Sequence, residues 1–339
     1  DPEKTLELYY HEITNVGFWR GSNGREGYEH YFEKGYISSD VSENAAKTME
    51  YAYNDWCAYY LAKTTGNKKY EEIFGRLIYN YKNLWDSETE HMRGRNPDGS
   101  WMFNEFNPYR WGNPFTEGNS TQYSWSVFHD VEGLIALMGG EEKFIARLDT
   151  FFTGTNEFDK GAYPEVIHEI KEMLAAGMGQ YAHGNQPCQH VPFLYSYAGA
   201  PWKTQARVRE VMTQLYNASP QGYPGDEDQG GLSSWYVLNA LGIYSVCPGT
   251  DQYVLGSPLF EKATITLEDG KQFVIEAKNN SPENVYIESA SLNGEEFSKN
   301  WITYADIANG GKLTLVMSDK PNKERGTGQE DRPYSVSRE

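Results

Sequence analysis

The chain of 339 residues is long enough for two domains, or for one large domain with an appendage. Its 48 acidic and 30 basic residues give a formal charge of −18, spread along the chain, which repels phosphate backbones and argues against a nucleic-acid partner. Three scattered cysteines argue against a disulfide scaffold or a structural zinc site, and no apolar run reaches the roughly 18 residues of a membrane span.

The aromatic content is the most informative feature of the composition. Aromatic residues make up 15% of the chain, with 26 tyrosines and 9 tryptophans. Most of these rings are expected to fill a core. The remainder, next to carboxylates and amides, suits a sugar-binding cleft, because rings pack on the C–H faces of a sugar while polar groups bind its hydroxyls.

The first 250 residues have the apolar period of helices, separated by long polar loops. Helices are expected near 43–63, 70–85, 120–138, 142–152, 165–176, 203–217 and 232–241. Asp40 and Glu43 have capping-box spacing ahead of the first of them, and Gly66 is a stop signal behind it. One helix after another, with glycine stops between them, predicts paired antiparallel helices.

After residue 250 the apolar period changes from helical to alternating, which predicts strands. Strands are expected at 263–267, 273–277, 286–292 and 313–317, with two-residue turns at Asp269-Gly270 and Asn293-Gly294. Residues 319–339 are charged and poor in large apolar side chains, so a mobile polar tail is expected there.

Three polar loops, at 113–130, 180–195 and 223–236, interrupt the helical part. The first carries Glu117 just before a helix start. The second gathers histidines and amides around a proline, and the third, "YPGDEDQGGLSSWY", crowds three acids before a helix. The residues of interest in these two loops are His183, Asn185, Gln186, Gln189, His190, Asp226, Glu227 and Asp228.

Each loop, taken singly, also has a purely structural explanation. A solvated turn explains the acidic triplet, and the helix dipole favours an acid such as Glu117 in a first helical turn. Histidines such as His183 and His190 are more often hydrogen-bonded core residues than catalysts. Taken together, however, the loops supply the two carboxyl groups that glycoside hydrolysis needs. One protonates the leaving oxygen, and the other activates water or attacks the sugar. The pattern alone therefore predicts a carbohydrate-active helical protein.

Four long blocks extend this prediction by resemblance. They are "GYISSDVSENAAKTMEYAYNDWCAYYLAK" (35–63), "FTEGNSTQYSWSVFHDVEGLIALMGG" (115–140), "YAHGNQPCQHVPFLYSYAGAPWKTQARVR" (181–209) and "GYPGDEDQGGLSSWYVLNALGIYSVCPGTDQYVLGSPLF" (222–260). In this order they resemble the family-92 glycoside hydrolases, calcium-dependent bacterial exo-α-mannosidases.

The resemblance implies a fold that is mainly α. Residues 1–250 would form part of an (α/α)6 helical barrel with the catalytic residues, and 251–318 a small antiparallel β region, followed by the polar tail 319–339. Members of the family are roughly twice this long and begin with a β-sandwich that contributes to the active site. The chain therefore resembles the C-terminal catalytic portion, and we expect the 251–318 strands to pack on a missing N-terminal domain. Activity of this portion alone is in doubt.

The resemblance also implies roles for individual residues in an inverting mechanism. Glu117 matches the general acid, and Asp228 matches the general base, with Asp226 helping to hold the attacking water and Glu227 pointing elsewhere. The acid and base of an inverting pair stand about 6.5–9.5 Å apart. A calcium ion would bridge O2 and O3 of the mannose, and Gln189 is expected to give it a side-chain oxygen.

The implied substrate is terminal α-linked mannose on glycans such as N-glycans. Asn185, Gln186, His183 and His190 are expected to bind it. Members selective for α-1,2 linkages carry a His-Glu pair at the positions matched here by Asn185-Gln186, which predicts another linkage. The family's habits imply a periplasmic, cell-surface or secreted location.

Two other functions compete with hydrolysis. A non-catalytic carbohydrate-binding or scaffold protein derived from the same fold would fit the short chain, but it would not need an acid and a base. An (α/α)6 polysaccharide lyase is disfavoured, because the acid trio would repel an anionic uronate.

Overall fold

The computed structural model describes residues 1–15 and 24–339, which divide into two compact units. The first unit comprises Asp1–His129 with Glu157–Ile167, and the second comprises Asp130–Asn156 with His168–Glu339. Among the described residues, none of the helices combines the length and the apolar character that crossing a membrane requires. The predicted domain boundary between residues 250 and 251 stays a prediction.

The first unit is mainly helical. Its elements are α1 Pro2–Thr14, α2 Tyr28–Lys34, α3 Asn44–Thr65, α4 Lys68–Leu77, a 3-10 turn at Asn80–Leu84, strands β1 Trp85–Asp86 and β2 His91–Met92, and α5 Ser120–Tyr123. Helix α3 ends at Gly66, as predicted, in the left-handed conformation. Its start differs from the prediction, because Glu43 makes no side-chain cap and its N–H donates to Asn113 Oδ1 at 2.9 Å.

The helix predicted at 120–138 is wrong in its middle. Helix α5 stops at Tyr123, and the next helix begins only at Val131, in the second unit. Between them Trp125 and Val127 are buried but not helical, so their apolar spacing imitates a helix. Asp130 restarts the helix because its carboxylate accepts a hydrogen bond from the N–H of Gly133, an N-cap.

The second unit carries the remaining helices. They are α6 Val131–Leu137, α7 Glu141–Thr153, α8 His168–Ala176, α9 Leu194–Tyr197, α10 Pro201–Leu215, α11 Gly231–Leu241 and α12 Tyr304–Ala308, with 3-10 turns at Gln186–Cys188, Val191–Phe193, Gln329–Asp331 and Val336–Arg338. Helix α11 follows the acidic loop and turns Leu232, Trp235 and Ala240 into the core. This anchors the loop to a buried helix.

The same unit contains the strands, in two sheets. The strands are β3 Ile243–Tyr244, β4 Gln252–Leu255, β5 Lys262–Thr266, β6 Gln272–Lys278, β7 Tyr286–Leu292, β8 Glu295–Glu296, β9 Trp301–Thr303 and β10 Gly311–Ser318. Both predicted turns are present between paired strands, β5 with β6 and β7 with β8. Leu313 and Leu315 alternate into the core of the larger sheet with Phe273 and Ile275.

The antiparallel prediction for this region fails at one pair of strands. In the order β5-β6-β10-β7-β8, β10 is antiparallel to β7 but parallel to β6. The reason is geometric, because β10 inserts between two strands that run in opposite directions and so must be parallel to one of them. The fold class, mainly α with a small β region after the helices, is confirmed.

The mobile tail predicted at 319–339 is wrong. Ser335 and Val336 are buried, and the Ser335 hydroxyl donates to Asp130 Oδ1 at 3.1 Å. The N–H of Ser337 donates to the same oxygen at 3.2 Å. The segment is held in place mainly by hydrogen bonds and ion pairs, such as that of Arg332 with Glu141. A polar composition is therefore compatible with an ordered segment.

Candidate active site

The Glu117 loop lies in the first unit and is held by two tyrosine hydroxyls. The N–H of Glu117 donates to Tyr163 Oη at 3.0 Å, and Tyr123 Oη donates to the carbonyl of Thr116 at 2.7 Å. Glu117 has a φ of 46°, in the left-handed region, which costs a non-glycine residue about 1–2 kcal/mol. Its side chain is exposed, so the loop presents a carboxyl group on a backbone fixed from both sides.

The acidic loop lies in the second unit, and its three acids have different surroundings. Asp226 and Asp228 are exposed. Glu227 Oε1 instead accepts a hydrogen bond from the N–H of Ser233 at 3.1 Å, in the first turn of α11. The middle acid therefore accepts a hydrogen bond from the first turn of the helix, where the helix dipole favours a negative charge, and the outer two remain for chemistry.

A hydrogen bond joins the acidic loop to the amide-rich loop. Gln186 Nε2 donates to Asp228 Oδ2 at 2.7 Å. Asp228 itself has a φ of 47°, in the left-handed region. This backbone conformation and the hydrogen bond from Gln186 together fix the position of its carboxylate. A carboxylate has two oxygens with several acceptor sites, so Asp228 can keep this bond and still accept a proton.

The predicted ligand His183 is a buried part of the core. Its side chain is 1% exposed, and its ring nitrogens Nδ1 and Nε2 lie 2.5 Å from Tyr181 Oη and 2.6 Å from Tyr216 Oη. Burial lowers the pKa of the imidazole to about 3, so the ring is neutral. The ring also packs edge-on against Trp235, with centroids 4.3 Å apart.

The other residues of the 181–190 loop are also mostly buried. His190, Asn185 and Gln189 are buried, whereas Gln186 is exposed. The indole Nε1 of Trp235 donates to the Gln189 carbonyl at 3.0 Å, which ties this loop to α11. The structure thus brings the amide loop and the acidic loop together in the second unit.

The sequence prediction missed three residues of α8 beside the acidic loop. His168 Nδ1 lies 3.0 Å from Glu172 Oε1, and Nε2 lies 3.0 Å from Glu169 Oε1 and 4.0 Å from Asp226 Oδ2. The hydrogen bond to Glu172 raises the pKa of the His168 imidazole. The available signal was a histidine and a glutamate at i and i+4 in a predicted helix, which face the same side.

A model of one protein family matches nearly the whole chain. Residues 1–319 match the model of the glycosyl hydrolase family 92 catalytic domain. The chain belongs to glycosyl hydrolase family 92.

Solved family-92 structures have the same fold. An inverting mannosidase of the family from Bacteroides thetaiotaomicron VPI-5482 is 48% identical, with a TM-score of 0.90 over 99% of this chain and 46% of that one. An α-mannosidase of the family from Bacteroides thetaiotaomicron is 36% identical, with a TM-score of 0.86 over 99% of this chain and 42% of that one. A structure of the latter enzyme contains mannoimidazole. The (α/α)6 fold class is therefore confirmed.

A fungal relative is similar in sequence. The "Uncharacterized secreted glycosidase" of Arthroderma benhamiae is 29% identical over 349 residues, covering 92% of this chain and 41% of that protein. The chain thus spans less than half the length of the relatives it matches.

The family implies calcium, and the residues present fit it in part. Among the described residues, His168, Glu172 and Asp226 place ligand atoms within 4.8 Å of one another. Calcium prefers oxygen ligands, and both His168 nitrogens already face carboxylates, so this cluster does not fit calcium. The side chain of Gln189, 8% exposed, offers the neutral oxygen that calcium accepts, and it fits as one of the 6–8 ligands that calcium takes.

Proposed function

We propose that this chain carries the acid and the base of an exo-acting, inverting α-mannosidase that removes terminal α-linked mannose from glycans with the help of calcium. The observation that carries the proposal is the 2.7 Å bond from Gln186 to Asp228. It holds an exposed carboxylate on a left-handed turn, beside a loop rich in amides. The inverting mannosidase and the mannoimidazole complex among the relatives support the reaction and the sugar.

The proposed mechanism uses two carboxyl groups in different roles. Glu117 protonates the leaving oxygen, and the fixed backbone of its loop keeps the carboxyl group in place. Asp228 takes a proton from the attacking water, and Asp226 holds that water. An inverting reaction requires about 6.5–9.5 Å between the acid and the base, and this separation stays a prediction.

Gln189 is the residue of this chain proposed to hold calcium. When bound, the ion would polarise the sugar hydroxyls and favour a distorted ring. The Trp235 indole, through its bond to the Gln189 carbonyl, keeps the glutamine in position. A readout independent of turnover is thermal stability, which added calcium should raise and Gln189→Ala should make less sensitive to calcium.

The predicted substrate contacts stay proposals, and the structure bears on two of them. Both ring nitrogens of His183 lie within hydrogen-bond distance of tyrosine hydroxyls, so we propose that His183 shapes the loop. Gln186 holds Asp228. Asn185 and His190 remain proposed sugar contacts.

We propose that the preferred linkage is not α-1,2, because Asn185-Gln186 stand where α-1,2-selective members of the family carry a His-Glu pair. The test compares kcat/KM for α-1,2-, α-1,3-, α-1,4- and α-1,6-mannobiose. A preference for the α-1,2 isomer would refute the assignment.

A carbohydrate-binding protein without turnover is the second candidate, because an amide-rich loop beside exposed carboxylates also suits the binding of sugar hydroxyls. The test compares mannose release by this chain and by a form extended to the relatives' full length. Release by the extended form alone would mean that the site needs further residues. Binding of mannobiose with no release by either form would favour the second candidate. A periplasmic or cell-surface location is proposed, supported by the secreted fungal relative.

A further inference from the structure

The amide loop and the acidic loop touch through two glycines. A Cβ added to Gly184 would lie 2.8 Å from the carbonyl oxygen of Pro224 and 3.0 Å from the Cα of Gly225. A Cβ added to Gly225 would lie 2.8 Å from the Cα of Gly184. Neither glycine has a positive φ, so the backbone conformation does not require glycine there. The close approach of the two loops requires it.

A carboxylate packs against this contact from the side of α8. Either added Cβ would also lie 2.7 Å from Glu172 Oε2. The other carboxylate oxygen, Oε1, is 3.0 Å from His168 Nδ1, one helical turn earlier. Helix α8 is itself fixed, because Ile170 and Met173 are fully buried. Glu172 therefore lies on a rigid element, with one oxygen bonded and the other against both loops.

We propose that Glu172 is a positioning residue that sets the spacing between the amide loop and the acidic loop. The inference rests on the proposed function, because it takes Asp226 and Asp228 as the acids that handle the attacking water. Gly184 directly precedes Asn185-Gln186, and Gly225 directly precedes Asp226. A shift at the glycine contact is therefore transmitted to the Gln186–Asp228 bond over two residues in one loop and three in the other.

The test separates the volume of Glu172 from its charge. Glu172→Ala removes the side chain that packs against both loops, and Glu172→Gln keeps its size. A displacement of about 1 Å can cost about 100-fold in rate, so Glu172→Ala is expected to lower kcat about 10- to 100-fold. The loss should be similar on aryl mannosides and mannobiose, because water activation is needed whatever group leaves. KM should stay within about threefold, and Glu172→Gln should retain kcat within about threefold.

The glycine contact provides a second pair of variants. Gly225→Ala should lower kcat at least as much as Glu172→Ala. Gly231→Ala is the matched control, because Gly231 begins α11, has no positive φ, and an added Cβ would meet nothing within 4 Å. Full activity in Gly225→Ala, or an equal loss in Glu172→Gln and Glu172→Ala, would overturn the proposal.

Amide hydrogen exchange gives a readout that does not need turnover. In this chain, Glu172→Ala should speed exchange in 223–230 about tenfold or more while exchange in the β strands of the same unit stays unchanged. Unchanged exchange in 223–230 would overturn the positioning role. Faster exchange there in a protein that releases no mannose in any form would uphold the contact and refute the proposed function instead, so the two failures are distinguishable.

Discussion

The hydrogen bond between Gln186 and Asp228 predicts how the pH dependence of the reaction responds to one added charge. Gln186→Glu places a carboxylate where an N–H donor now lies 2.7 Å from Asp228 Oδ2. Both side chains are exposed, so a water-like dielectric applies. Two unit charges at that distance then repel by about 1.5 kcal/mol, which corresponds to about one pH unit. We expect the acid limb of the kcat/KM profile to move up by as much as about one pH unit.

The assay is the pH profile of kcat/KM at low salt and at about 1 M salt, where the Debye length falls to about 3 Å. The shift should shrink at high salt. Gln221→Glu is the matched control, because it adds the same charge at an exposed glutamine that borders the same cavity of about 560 Å³ as Asp226. An acid limb that stays in place at low salt would refute the reasoning, since either the bond or the role of Asp228 as base would then be wrong.

Three further predictions concern other parts of the chain. Glu117→Gln should lower kcat/KM about 10²- to 10⁴-fold on mannosides with poor leaving groups and far less on activated aryl mannosides; equal losses would contradict a general acid. The depressed pKa of His183 means that the unfolded state binds more protons between pH 6.5 and about 3. The contribution of His183 to the free energy of unfolding should therefore fall by about 1 kcal/mol per pH unit between pH 6.5 and about 3, and His183→Gln should reduce the slope in urea titrations by that amount, whereas an unchanged slope would disprove the assignment. Ser335→Ala should cost about 1 kcal/mol in thermal unfolding, because Asp130 loses a donor; unchanged stability would argue against a packed C-terminal segment.

Local sequence signals were sufficient for most elements. The apolar period predicted α3, α7, α10 and α11, and the Asn293-Gly294 turn predicted the pairing of β7 with β8. Those signals depend only on neighbouring residues. The break between α5 and α6 could not be predicted, since Trp125 and Val127 are buried whether or not the backbone there is helical.

The parts that sequence reasoning missed depend on contacts between distant residues. The tail composition gave no sign that Ser335 would bond to Asp130, which lies 205 positions earlier. Likewise, no local signal in the sequence of α8 indicates that Glu172 packs against Gly184 and Gly225. The acidic loop is predictable because its three consecutive carboxylates stand in the sequence itself.

The most direct test of the central claim is the anomer released first from an aryl α-mannoside, followed by ¹H NMR in the shortest form of the enzyme that turns over. The account predicts β-mannose as the first product, with Asp228→Ala abolishing its release. First release of α-mannose would contradict it, because retention requires a covalent intermediate and a nucleophile in place of a water-activating base. Undiminished release of β-mannose by Asp228→Ala would contradict the assignment of the base.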